Sequence, residues 1–137
     1  MQKNPYQAAA SYRDHALTTA SPARIVVLAF ERLTLDLERA LAALENGEHP
    51  HTHLIHAQEL LMALLSGVDT NAWEHAHRLS TIYLSVHRSL ITANIEKNPA
   101  LIKDSLEIIV GLKDAWTQAE RQAGELSSAR PVRVVDA

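Results

Sequence analysis

Hydrophobic positions recur three and four residues apart along four stretches of the chain, and this spacing predicts four amphipathic helices. The first is expected over residues 23–45 and the second, the shortest, over residues 51–66. The third is expected over residues 71–97, and the fourth begins near residue 98 and loses its helical pattern near Gly124. The pattern therefore predicts an all-α protein.

The ends of these helices are predicted from capping residues. Helix starts are indicated by Ser21-Pro22, by Asn71 with Glu74 as a capping box, and by Asn98-Pro99. Helix stops are indicated by Asn46-Gly47 and Gly67. Gly111 lies inside the fourth helix, where we expect it to allow close approach of a neighbouring helix or a ligand segment.

Short loops between these helices favour an antiparallel up-down four-helix bundle over residues 21–124. Residues 1–20 are predicted to form an N-terminal arm, with a short helix near residues 7–17 whose apolar edge includes Tyr12 and Leu17. Residues 125–137 have no amphipathic period and are predicted to be a disordered tail.

The composition supports one helical domain and excludes several functions. The 137 residues contain only four Gly and five Pro, and no Cys, which excludes disulfides, thiolate catalysis and Cys-ligated metals. Thirteen Lys and Arg against sixteen Asp and Glu give a formal net charge of −3 without a basic stripe, which argues against nucleic acid. No apolar run is long enough for membrane insertion. We therefore expect a soluble, unprocessed protein.

Histidine is the residue type that most suggests chemistry, because four of the eight histidines cluster at His49, His51, His53 and His56. His53 and His56 could share a helix face, as metal ligands do. However, the cluster has no second His/Glu pair on another helix, as di-iron bundles require, and no His-Glu-x-x-His pattern. A solvated loop is therefore favoured over a metal site, and no cofactor is predicted.

The sequence does not predict an enzyme. No Gly-rich phosphate loop occurs, and Ser21 is better explained as a helix cap than as a nucleophile. The remaining candidate is a function of the protein surface. Four residues, Ile91, Ile95, Leu101 and Ile108, widen the apolar faces of the third and fourth helices. Such width indicates either a fuller core or a groove for a partner helix, and both interpretations stay open.

Several blocks of the sequence resemble one known family over roughly residues 4–120. The most specific block has Tyr12, four further residues, Leu17, one more residue, and then Thr19-Ala20-Ser21-Pro22. It is preceded by Asn4-Pro5-Tyr6-Gln7-Ala8 and followed by Ile82-Tyr83, Leu90-Ile91-Thr92-Ala93-Asn94 and Ala115-Trp116. In this spacing the chain resembles the flagellar secretion chaperones of the FliS type.

The resemblance implies a cytoplasmic bundle that holds the disordered C-terminal segment of flagellin, prevents premature polymerisation and delivers the subunit to the flagellar type III export gate. The alternatives are an adaptor for another flagellar regulator or export component and, with less support, a His-dependent metal-binding bundle. A homodimer of the client-free protein stays open. We expect a client-binding groove at Ile25, Phe30, Ile82, Tyr83, Leu90 and Ile91, and a displaceable lid formed by the arm at Tyr6, Tyr12 and Leu17.

The chain departs from the family pattern just after the Ser-Pro junction. The family commonly reads Met-Leu-Tyr-Asp/Asn-Gly there, whereas this chain has Leu28-Ala29-Phe30-Glu31-Arg32. Phe30 keeps the aromatic ring but lacks the hydroxyl, and Arg32 replaces a glycine with a large cation. We therefore expect different local packing around Arg32.

Overall fold

A computed structural model describes residues 22–72 and 74–129 of the protein, with side chains as far as residue 125. It contains the helices α1 (Pro22–Glu45), α2 (His51–Ser66), α3 (Ala76–Glu96) and α4 (Pro99–Ala129). The predicted arm with Tyr6, Tyr12 and Leu17, the end of the predicted tail at residues 130–137, and Trp73 lie outside the described residues.

The four helices form a closed ring. Each helix packs against its neighbours along the chain, and α1 also packs against α4. Asp36 in the second half of α1 contacts His56 in the first half of α2, and His51 at the start of α2 contacts Asn94 near the end of α3. Phe30 near the start of α1 packs against Trp116 in the second half of α4. These contacts join opposite ends of neighbouring helices, so the predicted antiparallel four-helix bundle is confirmed.

Two predicted helix ends form through local backbone chemistry. Gly47 has a φ of 73°, and its N–H donates to the Leu44 carbonyl at 3.1 Å, while the Glu48 N–H donates to the Ala43 carbonyl at 2.7 Å. This pair of bonds is the Schellman motif, which satisfies the last carbonyls of α1. At the start of α4, the Asn98 side-chain oxygen accepts from the Ala100 N–H at 3.0 Å, as an N-cap does.

The predicted start of the third helix is wrong. No helix begins at Asn71, because α3 starts at Ala76, and its N-cap residue His75 makes no side-chain cap hydrogen bond. Instead, Asp69 accepts from the Asn71 N–H at 2.9 Å and its carbonyl accepts from the Ala72 N–H at 3.2 Å. The Asp69 side chain therefore occupies the Asn71 N–H, which the capping box would have paired with the Glu74 side chain.

The helix α4 is longer than predicted. It has 31 residues and continues through Gly124 to Ala129, so the predicted loss of helix near Gly124 comes too early. Gly111 is exposed, and a Cβ added there would meet no atom within 4 Å. The expected close approach of a neighbouring helix at Gly111 is therefore wrong, while approach of a ligand segment stays a prediction.

The core lies along the bundle axis and includes side chains from all four helices. The Phe30 ring lies 6.3 Å from the Tyr83 ring and 5.7 Å from the Trp116 ring, joining α1, α3 and α4. Each large apolar side chain buried in this way stabilises the fold by about 1.5–3 kcal/mol. Trp116 is half-buried, and the largest fully buried apolar side chains besides Phe30 and Tyr83 are Leu33, Leu37, Leu54, Leu61, Leu90, Ile102 and Ile109.

Candidate protein-binding surface

The helix α3 has apolar side chains on its solvent face as well as on its core face. Leu84, Ile91 and Ile95 are exposed, and Ile95 is the most open of the three at 79 % of its surface. Their spacing of seven and four residues places them along one line of the helix, which we name the α3 stripe. The remaining exposed large hydrophobic residues among those described are Ile25, Leu35, Met62 and Ile108.

The α3 stripe is continued on one side by α2. Because His51 contacts Asn94 and the two helices run antiparallel, Met62 of α2 lies at the level of Tyr83 and Leu84 of α3. Met62 is eleven residues, about three helical turns, after His51, so it lies on the same face of α2 beside α3. Met62 is exposed, and its flexible side chain adapts easily to a partner surface. The apolar surface therefore extends across two helices.

On its other side, the stripe borders a groove between α3 and α4. This α3–α4 groove has a volume of about 540 Å³. Six of its lining residues come from α3 and one comes from α4; they are Thr81, Leu84, Ser85, Arg88, Ser89, Thr92 and Leu101. Ile108, two turns further along α4, is also exposed. An open apolar surface beside a groove of this kind suits a helical or extended protein segment.

On α3 as far as Ile95 and in the lining of the groove, the charge of this surface has one sign. Between Ala76 and Ile95 the sequence of α3 contains no Asp or Glu, while Arg78 and Arg88 both lie in this stretch and are exposed. The seven residues that line the α3–α4 groove also include no acid. The surface therefore combines apolar side chains, hydroxyl groups and the guanidinium of Arg88.

The six residues predicted for the client-binding groove lie in different environments. Ile25 and Ile91 are exposed at 44 % and 38 %, and Ile82 is half-buried. Phe30, Tyr83 and Leu90 belong to the core, so a partner meets them only if the bundle opens. Of this set, Ile91 alone lies on the α3 stripe. Sequence reasoning missed Leu84 and Met62, although their positions outside the core stripes could have indicated them.

Burial also affects the chemistry of Tyr83. Its side chain is 2 % exposed, and desolvation raises the pKa of its hydroxyl from 10.0 to about 12. The hydroxyl therefore stays protonated over the whole range in which the cell operates, and Tyr83 acts as a packing residue beside Phe30 rather than as an acid or base.

A buried acid, which the sequence analysis did not identify, lies between α1 and α2. Asp36 is 1 % exposed; its Oδ2 accepts from His56 Nδ1, and its Oδ1 lies 3.3 Å from Arg32 Nε. The Arg32 contact is electrostatic, because Oδ1 has no aligned hydrogen bond. The sequence did hold a signal for this site: Asp36 falls between Leu33 and Ala40 on the core face of α1, where an acid needs a partner.

The clustered histidines make separate contacts. His56 pairs with Asp36, His51 Nδ1 lies 2.9 Å from the Asn94 side-chain nitrogen, and His49 Nδ1 accepts from the His51 N–H at 3.0 Å. Within residues 22–72 and 74–129, no three His, Asp or Glu side chains converge in a way that could hold a metal ion. In the same residues, no helix has the length and apolar character needed to cross a membrane.

Comparison with known proteins gives consistent matches over most of the chain. Residues 3–123 match the family model described as flagellar protein FliS. The flagellar secretion chaperone FliS of Bacillus subtilis (strain 168) is 26 % identical over 119 residues, which cover 85 % of this chain and 86 % of the relative. The protein of the same name from Vibrio cholerae serotype O1 is 27 % identical over 119 residues, covering 85 % and 88 %. The chain therefore belongs to the FliS family of flagellar secretion chaperones.

Proposed function

We propose that this protein binds the disordered C-terminal segment of flagellin in the cytoplasm, keeps it from polymerising early and assists its delivery to the flagellar type III export apparatus. The observation that carries the proposal is the α3 stripe of Leu84, Ile91 and Ile95, an exposed apolar line beside a groove of about 540 Å³. Among soluble proteins, an apolar surface of this kind is typical of a site that a partner covers.

The physical basis of this function is coupled folding and binding. A flagellin segment with apolar residues three and four apart buries them against Leu84, Ile91, Ile95 and Met62 as it becomes helical. Ordering the segment costs conformational entropy, so the affinity is lower than the buried area alone suggests. This combination protects the client and still lets it leave at the export apparatus.

Isothermal titration calorimetry with a peptide from the C terminus of the flagellin encoded in the same genome tests the proposal. We expect saturable binding with a dissociation constant well below about 100 µM, which corresponds to at least about 5 kcal/mol of binding free energy. Absence of binding at that concentration contradicts the proposal. Capture of a different flagellar regulator or export component, without flagellin, favours the adaptor alternative instead.

A substitution in the α3 stripe tests which surface binds. We expect Ile91→Asp to weaken peptide binding at least about tenfold, because a charge replaces an apolar contact at the interface. Ile91 is 38 % exposed, so helicity and melting temperature should change little.

Leu35→Asp is the matched control for Ile91→Asp. Leu35 is exposed to a similar extent, 36 %, but lies on α1 away from the stripe, so this variant should retain binding. Loss of the fold in Ile91→Asp, or equal loss of binding in both variants, contradicts a binding site on the α3 stripe.

A further inference from the structure

We propose that Arg88 is a specificity-determining residue that pairs with a carboxylate of the client segment in the α3–α4 groove. The groove would then select an acidic amphipathic segment over a neutral one with the same apolar residues. This inference rests on the proposed function and adds to it the chemistry of the preferred client.

Arg88 lines the groove and has no ion-pair partner within the described part of the chain. This distinguishes it from Arg32, which contacts the buried Asp36 at 3.3 Å, and from Arg24, which lies 4.0 Å from Glu120. Arg32 and Arg24 thus pair with acids of the bundle itself. The guanidinium of Arg88 has no such pair among the described residues and remains available to a ligand.

The surroundings of Arg88 favour an anionic partner. None of the other lining residues is an acid, and the first acid of α3 is Glu96, about 12 Å further along the helix axis. The exposed acids of α4 nearest to Leu101 in the chain, Asp104 and Glu107, do not line the groove. A carboxylate that enters the groove therefore meets a guanidinium without competition from a neighbouring lining carboxylate. An Arg–carboxylate pair is often bidentate, and it is stronger where the ligand excludes water.

The rest of the groove fits an amphipathic segment. Leu84 and Leu101 provide apolar contacts on its two helices, while the small side chains of Ser85 and Ser89, one turn apart, let a partner backbone come close. The Thr81 hydroxyl is already used, because it donates to the His77 carbonyl at 3.0 Å. The fitting client segment therefore has aliphatic side chains and an Asp or Glu within about one helical turn of them.

Residues 1–21 contain a single acid, Asp14, and are long enough to reach the groove. The test below separates this internal occupant from the client.

The experiment titrates full-length protein variants with the flagellin C-terminal peptide at low and high salt. We expect Arg88→Ala to weaken binding about tenfold and Arg88→Glu about a hundredfold, while Arg88→Lys loses only about threefold because it keeps the charge. The loss in Arg88→Ala should shrink as salt rises. Arg39→Ala is the matched control: Arg39 is exposed on α1, makes no ion pair within the described residues, and should leave the affinity unchanged.

A charge exchange makes the test specific. Replacing the decisive acid of the peptide with Lys should weaken binding to the wild-type protein and restore it to Arg88→Glu. If the wild-type protein binds the peptide and Arg88→Ala binds it equally well, the inference is overturned while the proposed function stands. If Arg88→Ala binds more tightly, the groove was occupied by the chain's own arm, and the inference is also overturned. If the wild-type protein does not bind flagellin peptides, both proposals fail.

Discussion

At the scale of single residues, the buried Asp36 explains why the chain can carry an arginine at residue 32. Asp36 contacts both Arg32 and His56. Arg32 stands where the family commonly has glycine, and its Nε lies 3.3 Å from the buried Asp36. His56, twenty residues further along the chain, reaches the other carboxylate oxygen. Arg32 and Asp36 are four residues apart on α1, which is the spacing that brings opposite charges together on a helix. The unusual cation at residue 32 therefore adds a second compensating contact to a buried acid that His56 already hydrogen-bonds.

This arrangement predicts that removing a partner of Asp36 destabilises the fold more than removing the partner together with the acid. The side chains of Arg32 and His56 are 45 % and 40 % exposed, whereas that of Asp36 is 1 % exposed. We expect His56→Ala to lower the free energy of unfolding by about 2 kcal/mol, because it leaves a buried carboxylate without its hydrogen bond. Urea denaturation measures this loss.

Replacing the acid as well should recover stability. In the double variant His56→Ala/Asp36→Leu, we expect most of the loss to be regained, since an apolar side chain of similar size needs no partner. A double variant whose loss equals the sum of two independent losses would show that Asp36 and His56 are not energetically coupled.

The buried Tyr83 predicts a pH dependence. Its pKa is about 12 in the folded protein, above the 10.0 of an exposed tyrosine, so the folded state favours the protonated hydroxyl. The corresponding stability is fully present below pH 10 and is lost as the pH rises from 10 towards 12, by up to about 3 kcal/mol. Lysines titrate in the same range, so the measured quantity is the difference between the wild-type protein and Tyr83→Phe in urea denaturation.

We expect this difference to be nearly constant up to pH 10 and to move in favour of Tyr83→Phe above it. Two stability curves that stay parallel to pH 12 would mean that Tyr83 ionises without penalty.

At the scale of helices, capping residues predicted a helix end correctly where a single local interaction determines that end. Gly47 adopts a φ of 73° and ends α1, and Asn98 caps α4, both as their residue types indicate. The start of α3 could not be predicted in this way, because Asp69 forms turn hydrogen bonds with the backbone of Asn71 and Ala72. The sequence is compatible with both the capping box of Asn71 and Glu74 and the turn at Asp69, and it does not show which of the two forms.

Gly111 gives a prediction at the same scale. It lies within α4, is exposed, and has open space where a Cβ would lie. We expect Gly111→Ala to raise the free energy of unfolding by about 1 kcal/mol, because alanine loses less backbone entropy in a helix. Thermal denaturation measures the gain, and a lower melting temperature would contradict the prediction. A weaker affinity for the flagellin peptide in this more stable variant would show that a client backbone approaches α4 at Gly111.

At the scale of the whole molecule, helical periodicity and short loops were sufficient to predict the antiparallel bundle. Of the residues that widen the apolar faces of the third and fourth helices in the sequence, Ile91, Ile95 and Ile108 are exposed. Their role in binding a partner stays a prediction. Phe30, Tyr83 and Leu90 are buried, because a residue on an apolar face can serve the core or a partner and its sequence position does not distinguish the two. Arg88 was not identified, since its environment depends on how α3 lies beside Leu101 of α4.

The approach of Arg24 to Glu120 also has a topological consequence. It places the beginning of α1 beside the second half of α4, so residues far apart in the chain are adjacent in space. A short linker that joins these two helices, with new termini in the loop between α2 and α3, would give a circular permutant with the same four helix–helix interfaces. In that permutant the contact of α1 with α4, which closes the ring across most of the chain, would become a local helical hairpin. The order in which the bundle assembles could then be changed while its four helix–helix interfaces stay the same.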